Sequence, residues 1–152
     1  MLQRLRGDLS LVYGPGQRIR KLVALLFNPN VRACALIRIA CCESKTAYRI
    51  ARNLLVTLHS IDIGEGLEVG VPLSLPHPIG IVLGRGVVLG DGVTVYHNVT
   101  IGAKNSEYPV VQDNVTIYPN AIIVGGVTVG RGAIIGAGKF VDRNVPSNKV
   151  VR

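Results

Sequence analysis

Residues 83–101 read LGRGVVLGDGVTVYHNVTI, and in this stretch an aliphatic residue returns at every sixth place, at Leu83, Leu89, Val95 and Ile101. The period continues outward in both directions. Upstream it runs through Leu75, Val69 and Ile63 once two extra residues between Leu75 and Leu83 are skipped. Downstream it resumes, after four extra residues, at Val111, Ile117, Ile123, Val129, Ile135 and Val141. A second position, four residues after each of these, holds Leu67, Leu73, Ile79, Val87, Val93, Val99, Val115, Ala121, Val127, Ala133 and Val145, with Asn105 and Lys139 as exceptions. Glycine follows the first aliphatic in seven repeats, as in Leu83-Gly84 and Leu89-Gly90.

A helix cannot hold this pattern. A six-residue period matches no helical face, and 15 of the 92 residues from 61 onward are glycine, which destabilises helix interiors. A sandwich would show period-two alternation with turns every eight to twelve residues or so. The arrangement that buries every sixth residue is a solenoid, each hexad giving one short strand and one tight turn. Three hexads close a triangular coil, and the inward aliphatics of successive coils stack into one column.

The first sixty residues follow a different rule. Ala47, Ile50, Ala51, Leu54, Leu55 and Leu58 recur at spacings of three and four, with Lys45, Arg49 and Arg52 between them, which predicts a helix that Ser44 caps. Asn28-Pro29 has the cap-then-proline order of a helix start and predicts a second, more buried helix over Val31–Cys42. Tyr13-Gly14-Pro15-Gly16 is a breaker, and residues 1–16 take no clear assignment. The expected organisation is a basic helical segment over 1–60, a coil domain over 61–145 and a tail over 146–152.

The charge is lopsided. Residues 1–60 hold ten Lys/Arg against two Asp/Glu, whereas 61–152 hold seven of each. A basic N-terminal segment suits peripheral contact with an anionic membrane or a partner protein. Sparse aromatics, without arginine-glycine-aromatic interleaving or zinc spacing, argue against nucleic acid. Cys34, Cys41 and Cys42 form no C-x-x-C pair and read as reduced small hydrophobes, which favours the cytoplasm. The apolar stretches 22–27 and 33–42 are too short to span a bilayer, and no signal peptide is evident.

The pattern [LIV]-G-x-x-[STAV]-x, repeated as LGRGVV, LGDGVT and VGRGAI, resembles the hexapeptide-repeat acyltransferases. That family's coils are left-handed and assemble as trimers. The period alone does not supply the hand, since parallel crossovers are right-handed in almost all folds. Within the superfamily the chain is most similar to serine acetyltransferase, from about Asn28 to Val145. The similarity is carried by Asn28-Pro29-Asn30, Arg38-Ile39-Ala40, IDIGEGLEVG, LPHPIGIVLG and VYHNVTIGA, in that order. The resemblance implies a mainly β chain, a left-handed parallel β-helix preceded by a short α-helical segment, that transfers an acetyl group from acetyl-CoA to a hydroxyl.

It also implies roles for individual residues. His77, in the two-residue excess, takes the place of the family's general base, and Asp62, fifteen residues earlier, that of the aspartate that orients it. The role suits an imidazole, whose unperturbed pKa near 6.5 lets it accept a hydroxyl proton at neutral pH. Pro76, where the family has aspartate, together with His97, Glu107 and Tyr108, falls on the acceptor side. Gly102, Ala103, Ala137 and Lys139 fall along acetyl-CoA, and no metal is implied. Glu107-Tyr108-Pro109 stands where the family has arginine-histidine-proline, in a loop four residues shorter. A carboxylate there disfavours a free amino acid, so the expected acceptor is a sugar or polysaccharide-precursor hydroxyl, with L-serine as the alternative.

Two other classes remain in view. A γ-type carbonic anhydrase shares the coil but needs three clustered histidines on zinc, and His59, His77 and His97 are evenly spread, His59 carrying no signal of its own. A purely structural solenoid would lack a protruding loop and a histidine at a register break.

Overall fold

Each hexad folds as a two- or three-residue strand followed by a turn. The computed structural model describes residues 2–10 and 27–152, and in it the strands form three parallel faces around one column of aliphatic side chains. The first face carries β1 (Asp62–Ile63), β3 (Val82–Leu83), β6 (Thr100–Gly102), β9 (Ile122–Val124) and β12 (Phe140–Val141). The second carries β2 (Glu68–Val69), β4 (Val88–Leu89), β7 (Val110–Val111) and β10 (Thr128–Val129). On the third are β5 (Thr94–Val95), β8 (Thr116–Ile117), β11 (Ile134–Ile135) and β13 (Val150–Val151), with Ser74 bridging to Thr94 beneath them. The architecture is the left-handed parallel β-helix expected, about four turns long, behind a short helical segment.

The register reads the insertions directly. Val82 pairs with Thr100, and Ile122 with Phe140, each eighteen residues on, which is three hexads. Asp62 pairs with Val82 twenty residues on, and Thr100 with Ile122 twenty-two on, so the two extra residues lie in the first coil and the four in the second. All thirteen first aliphatics are buried. Of the second set, Ile79 is the exception at 60% exposed; Ile81, 1% exposed, takes its inward place because the insertion bulges out at residues 76–80. The solenoid also runs past residue 145. Val150 and Val151 lack the glycine signature but pair with Ile134 and Ile135, so the expected tail ends in a strand.

The solenoid's first coil has no coil beneath it, and its backbone groups need other partners. Among the described residues three helices supply them: α1 (Leu2–Ser10), α2 (Pro29–Ala40) and α3 (Lys45–His59). The predicted caps hold, since Asn28 Oδ1 accepts from the Asn30 and Val31 amides at 3.0 and 3.3 Å, and Ser44 Oγ from Ala47 at 3.3 Å. Ala33, Ile37, Ala51 and Leu55 continue the aliphatic column. Arg38, 3% exposed, donates to the Val69 and Gly70 carbonyls at 2.7 and 2.6 Å. It also makes two 2.8 Å bonds to Asp8, whose Oδ1 accepts the Leu73 amide at 2.8 Å. Tyr48 donates its hydroxyl to the Ile63 carbonyl at 2.9 Å. The Tyr13–Gly16 breaker lies outside the described residues.

Candidate active site

The chain passes from the third face to the first at one corner of the triangle, and from the first to the second at another. His77 stands on the third-to-first corner, in the bulge between Leu75 and Val82, and its side chain is exposed. Gly80 closes that bulge with φ +68°, where its missing Cβ leaves room for Asn98 Oδ1 of the next coil.

The register sets His97 above His77, and the rings meet edge to face with centroids 5.8 Å apart. Tyr96 lies 6.2 Å from His77 and stacks on Tyr118 of the following coil at 5.2 Å, their planes 10° apart. One more coil up, register places Gly136 at that rung. The corner is thus an aromatic ladder of His77, Tyr96 and Tyr118 that ends in a bare turn. The tyrosines were not among the expected site residues, though the sequence carries a sign of them. Both directly follow a first aliphatic, in Val95-Tyr96 and Ile117-Tyr118, where other repeats place glycine.

His59 was also missed. It is 4% exposed and sits under the His77 bulge, where its carbonyl accepts the Gly80 amide at 3.3 Å and its Nε2 accepts from Arg32 Nε at 3.2 Å. Its ring also bonds the Pro78 backbone. Proline has no N–H, so the imidazole is the donor there. Burial, and then the Arg32 charge, hold its pKa below 6.5, against the opposing pull of that Pro78 bond. A neutral His59 therefore fastens the base of the bulge to the helical segment.

Asp62 occupies β1 and is half-buried. Its Oδ1 accepts from Arg52 Nε at 2.7 Å, and among the described residues no hydrogen bond or ion pair joins it to His77. Pro76 precedes His77 and is half-buried.

The remaining expected residues divide between two corners. Lys104 and Glu107 exchange backbone bonds at 3.1 Å across Asn105 and Ser106, whose φ values of 55° and 62° make a tight hairpin turn at the first-to-second corner. The hairpin lies against the coil above, with Glu107 Oε2 2.9 Å from where a Cβ on Gly126 would sit. The Tyr108 ring packs on Gly86, whose φ is +68°, at 3.1 Å from a would-be Cβ. Glu107 and Tyr108 are thus separated from His77 by the whole first face. Gly102 and Ala103 lead into the hairpin, and a Cβ on Gly102 would meet nothing within 4 Å, so the wall there is bare. Ala137 is exposed on the His77 corner, two coils above His97, and Lys139 beside it is half-buried.

Cys34 does not offer an alternative nucleophile. Burial, with Asp8 adding and Arg38 opposing, pushes its thiol up to about 12. Among the described residues no three His, Cys, Asp or Glu side chains are grouped to hold a metal, and no helix is long and apolar enough to cross a membrane.

Comparison with known proteins converges on one group. Residues 108–143 match the family model described as bacterial transferase hexapeptide (six repeats). A serine acetyltransferase of Synechococcus elongatus is 35% identical over 69 residues, covering 37% of this chain and 22% of the relative. A 2,3,4,5-tetrahydropyridine-2,6-dicarboxylate N-acetyltransferase of Staphylococcus aureus is 48% identical over 42 residues, covering 28% and 18%. The crystal structure of Neisseria gonorrhoeae serine acetyltransferase in complex with serine superposes with a TM-score of 0.84 at 28% identity, covering 99% of this chain and 66% of that one. The chain therefore spans about a fifth of the curated relatives and about two thirds of the solved one.

Proposed function

We propose that this chain is a member of the hexapeptide-repeat acyltransferases of left-handed β-helix fold, which it resembles, and an acetyl-CoA-dependent O-acetyltransferase with His77 as general base. The observation that carries the reading is the exposed His77 on the first of the coil's two register breaks. His77 accepts the acceptor's hydroxyl proton as that oxygen attacks the thioester carbonyl, and returns it to the departing thiolate. The bare backbone at Gly102 and Ala103 suits the pantetheine arm of acetyl-CoA, while Ala137 and Lys139 suit its nucleotide end. Asp62 retains the role of orienting His77 only if Arg52 releases it.

The site residues stand on two corners of one chain. A homotrimer supplies the remedy, because one copy's hairpin then meets its neighbour's His77 corner. Cys34, Cys41 and Cys42, with no C-x-x-C spacing among them, support a reducing, cytoplasmic setting. The basic residues of the helical segment support peripheral contact with an anionic surface.

The relatives favour L-serine as acceptor over the sugar hydroxyl that the loop composition suggests. The sugar reading keeps one specific support in the Tyr96–Tyr118 stack beside His77, since a pyranose packs its C–H face on an aromatic ring. Acetyl transfer measured against L-serine, homoserine, hexoses and nucleotide sugars decides between them. Failure of every hydroxyl acceptor, with acetyl-CoA left intact, overturns the proposal.

A further inference from the structure

We infer that His97 is a second catalytic residue, a hydrogen-bond donor that stabilises the oxyanion formed when the acceptor attacks the thioester. The inference rests on the His77 reaction proposed above and adds to it the group that receives the developing charge.

Three observations carry it. His97 lies on the same chain and corner as His77, with 5.8 Å between ring centroids and an interplanar angle of 73°. A tetrahedral carbon whose attacking oxygen faces one ring can therefore direct its oxyanion at the other. The turn that carries His97 is held from both sides, because its carbonyl accepts the Asn120 amide at 3.2 Å and the adjacent Asn98 amide donates to Ile79 at 2.9 Å. The side chain is thus pre-positioned on the coil wall.

The third observation fixes the tautomer. Nδ1 of His97 is fully buried and has no hydrogen-bond partner. A buried N–H without an acceptor is rarer and more costly than a buried lone pair, so the ring hydrogen belongs on Nε2. Nε2 is not among the buried unpartnered atoms, so it is the ring nitrogen open to a bound substrate, on a ring whose centroid lies 5.8 Å from that of His77. A fixed donor of this kind, aimed where charge develops, is worth about 10²–10³ in kcat.

The bonds balance without any further reactant. The acceptor C–O bond forms as the hydroxyl proton passes to His77. His97 keeps its hydrogen while donating to the oxyanion, and the C–S bond then breaks as the proton moves from His77 to sulfur.

The test pairs kinetics with a direct reading of the tautomer. In His97→Met, which keeps the length but has no donor, kcat should fall about a hundredfold while the KM for acetyl-CoA changes less than about threefold. His97→Gln, which restores an N–H at the ε position, should recover to within about tenfold of wild type. Nitrogen-15 NMR of the wild-type imidazoles should show the hydrogen of His97 on Nε2. A His97→Met enzyme with wild-type kcat, a His97→Gln variant no better than His97→Met, or a hydrogen on Nδ1 each overturns the inference. A wild-type protein that transfers no acetyl group at all overturns the His77 reading and this role with it.

Discussion

Arg52 Nε lies 2.7 Å from Asp62 Oδ1, and this pair, each side chain nearly half exposed, engages the carboxylate that the family resemblance assigns to His77. The bond ties α3 to β1, at the start of the coil that carries the bulge. Its effect is local: an ion pair this exposed contributes between about 0 and 1 kcal/mol to stability.

The two residues should therefore separate kinetically. His77→Ala is expected to lower kcat about a hundredfold or more while acetyl-CoA binding, measured by calorimetry, is retained. Asp62→Asn should cost less than about tenfold, because its carboxylate is not bonded to the imidazole. Equal activity of wild type and His77→Ala would sink the mechanism.

The distribution of site residues over two corners predicts an assembly of three times the 16.2 kDa chain in light scattering. If the protein is a monomer at micromolar concentration and still fully active, the hairpin and His77 do not share a site.

Acceptor choice should respond both to the ladder and to the hairpin. Tyr118→Ala is expected to lower kcat/KM for a hexose acceptor by about two- to tenfold, in keeping with about 0.5–1.5 kcal/mol for an aromatic contact. It should leave L-serine unaffected. Glu107→Arg with Tyr108→His should raise L-serine turnover relative to sugars, by replacing a repulsive carboxylate with a cation. Sub-millimolar use of L-serine by the unaltered protein would assign the acceptor to the serine reading.

The buried pair of Arg38 and Asp8 predicts a large structural effect with no chemistry in it. Asp8→Ala leaves the guanidinium buried without its counter-charge and removes the acceptor of the Leu73 amide, so it should destabilise the fold by about 3–5 kcal/mol. Denaturant unfolding measures this directly, and a loss below about 1 kcal/mol would mean that α1 does not hold the end of the solenoid.

His59 predicts a pH dependence. Its pKa is lowered in the folded state, so the unfolded chain binds the extra proton first. Its contribution is fully present above the unfolded value near 6.5 and is lost as pH falls through the lower folded one. The melting temperature should therefore drop as pH falls below about 6.5, and His59→Gln should flatten that drop. An unchanged slope in the variant would assign the pH effect to other groups.

Much of the fold could be read before the coordinates because its determinants are local and periodic. An aliphatic residue every six places can be buried only if each hexad is one side of a coil. The two insertions were countable against that period, and the cap residues Asn28 and Ser44 act within three residues of themselves. The error at Ile79 shows the limit: counting finds an insertion's length, while packing decides which of Ile79 and Ile81 turns inward. His77 was visible for the same reason, as a histidine at a break in register. Tyr96 and Tyr118 were written in the chain as exceptions to the glycine pattern, but that two exceptions stack follows from a twenty-two-residue register that the loop insertion sets.

The sequence by itself determined the coil, its column of aliphatics, the helical lead-in and the place of His77, because each depends on spacing along the chain. The tertiary structure alone decided the partners. Asp62 went to Arg52, His59 came to lie under the bulge, Asp8 reached Arg38 across thirty residues, and Glu107 fell on a different corner from His77. These pairings depend on how helices dock on the end of a solenoid and on which corner an insertion leaves, and neither is encoded in a six-residue period.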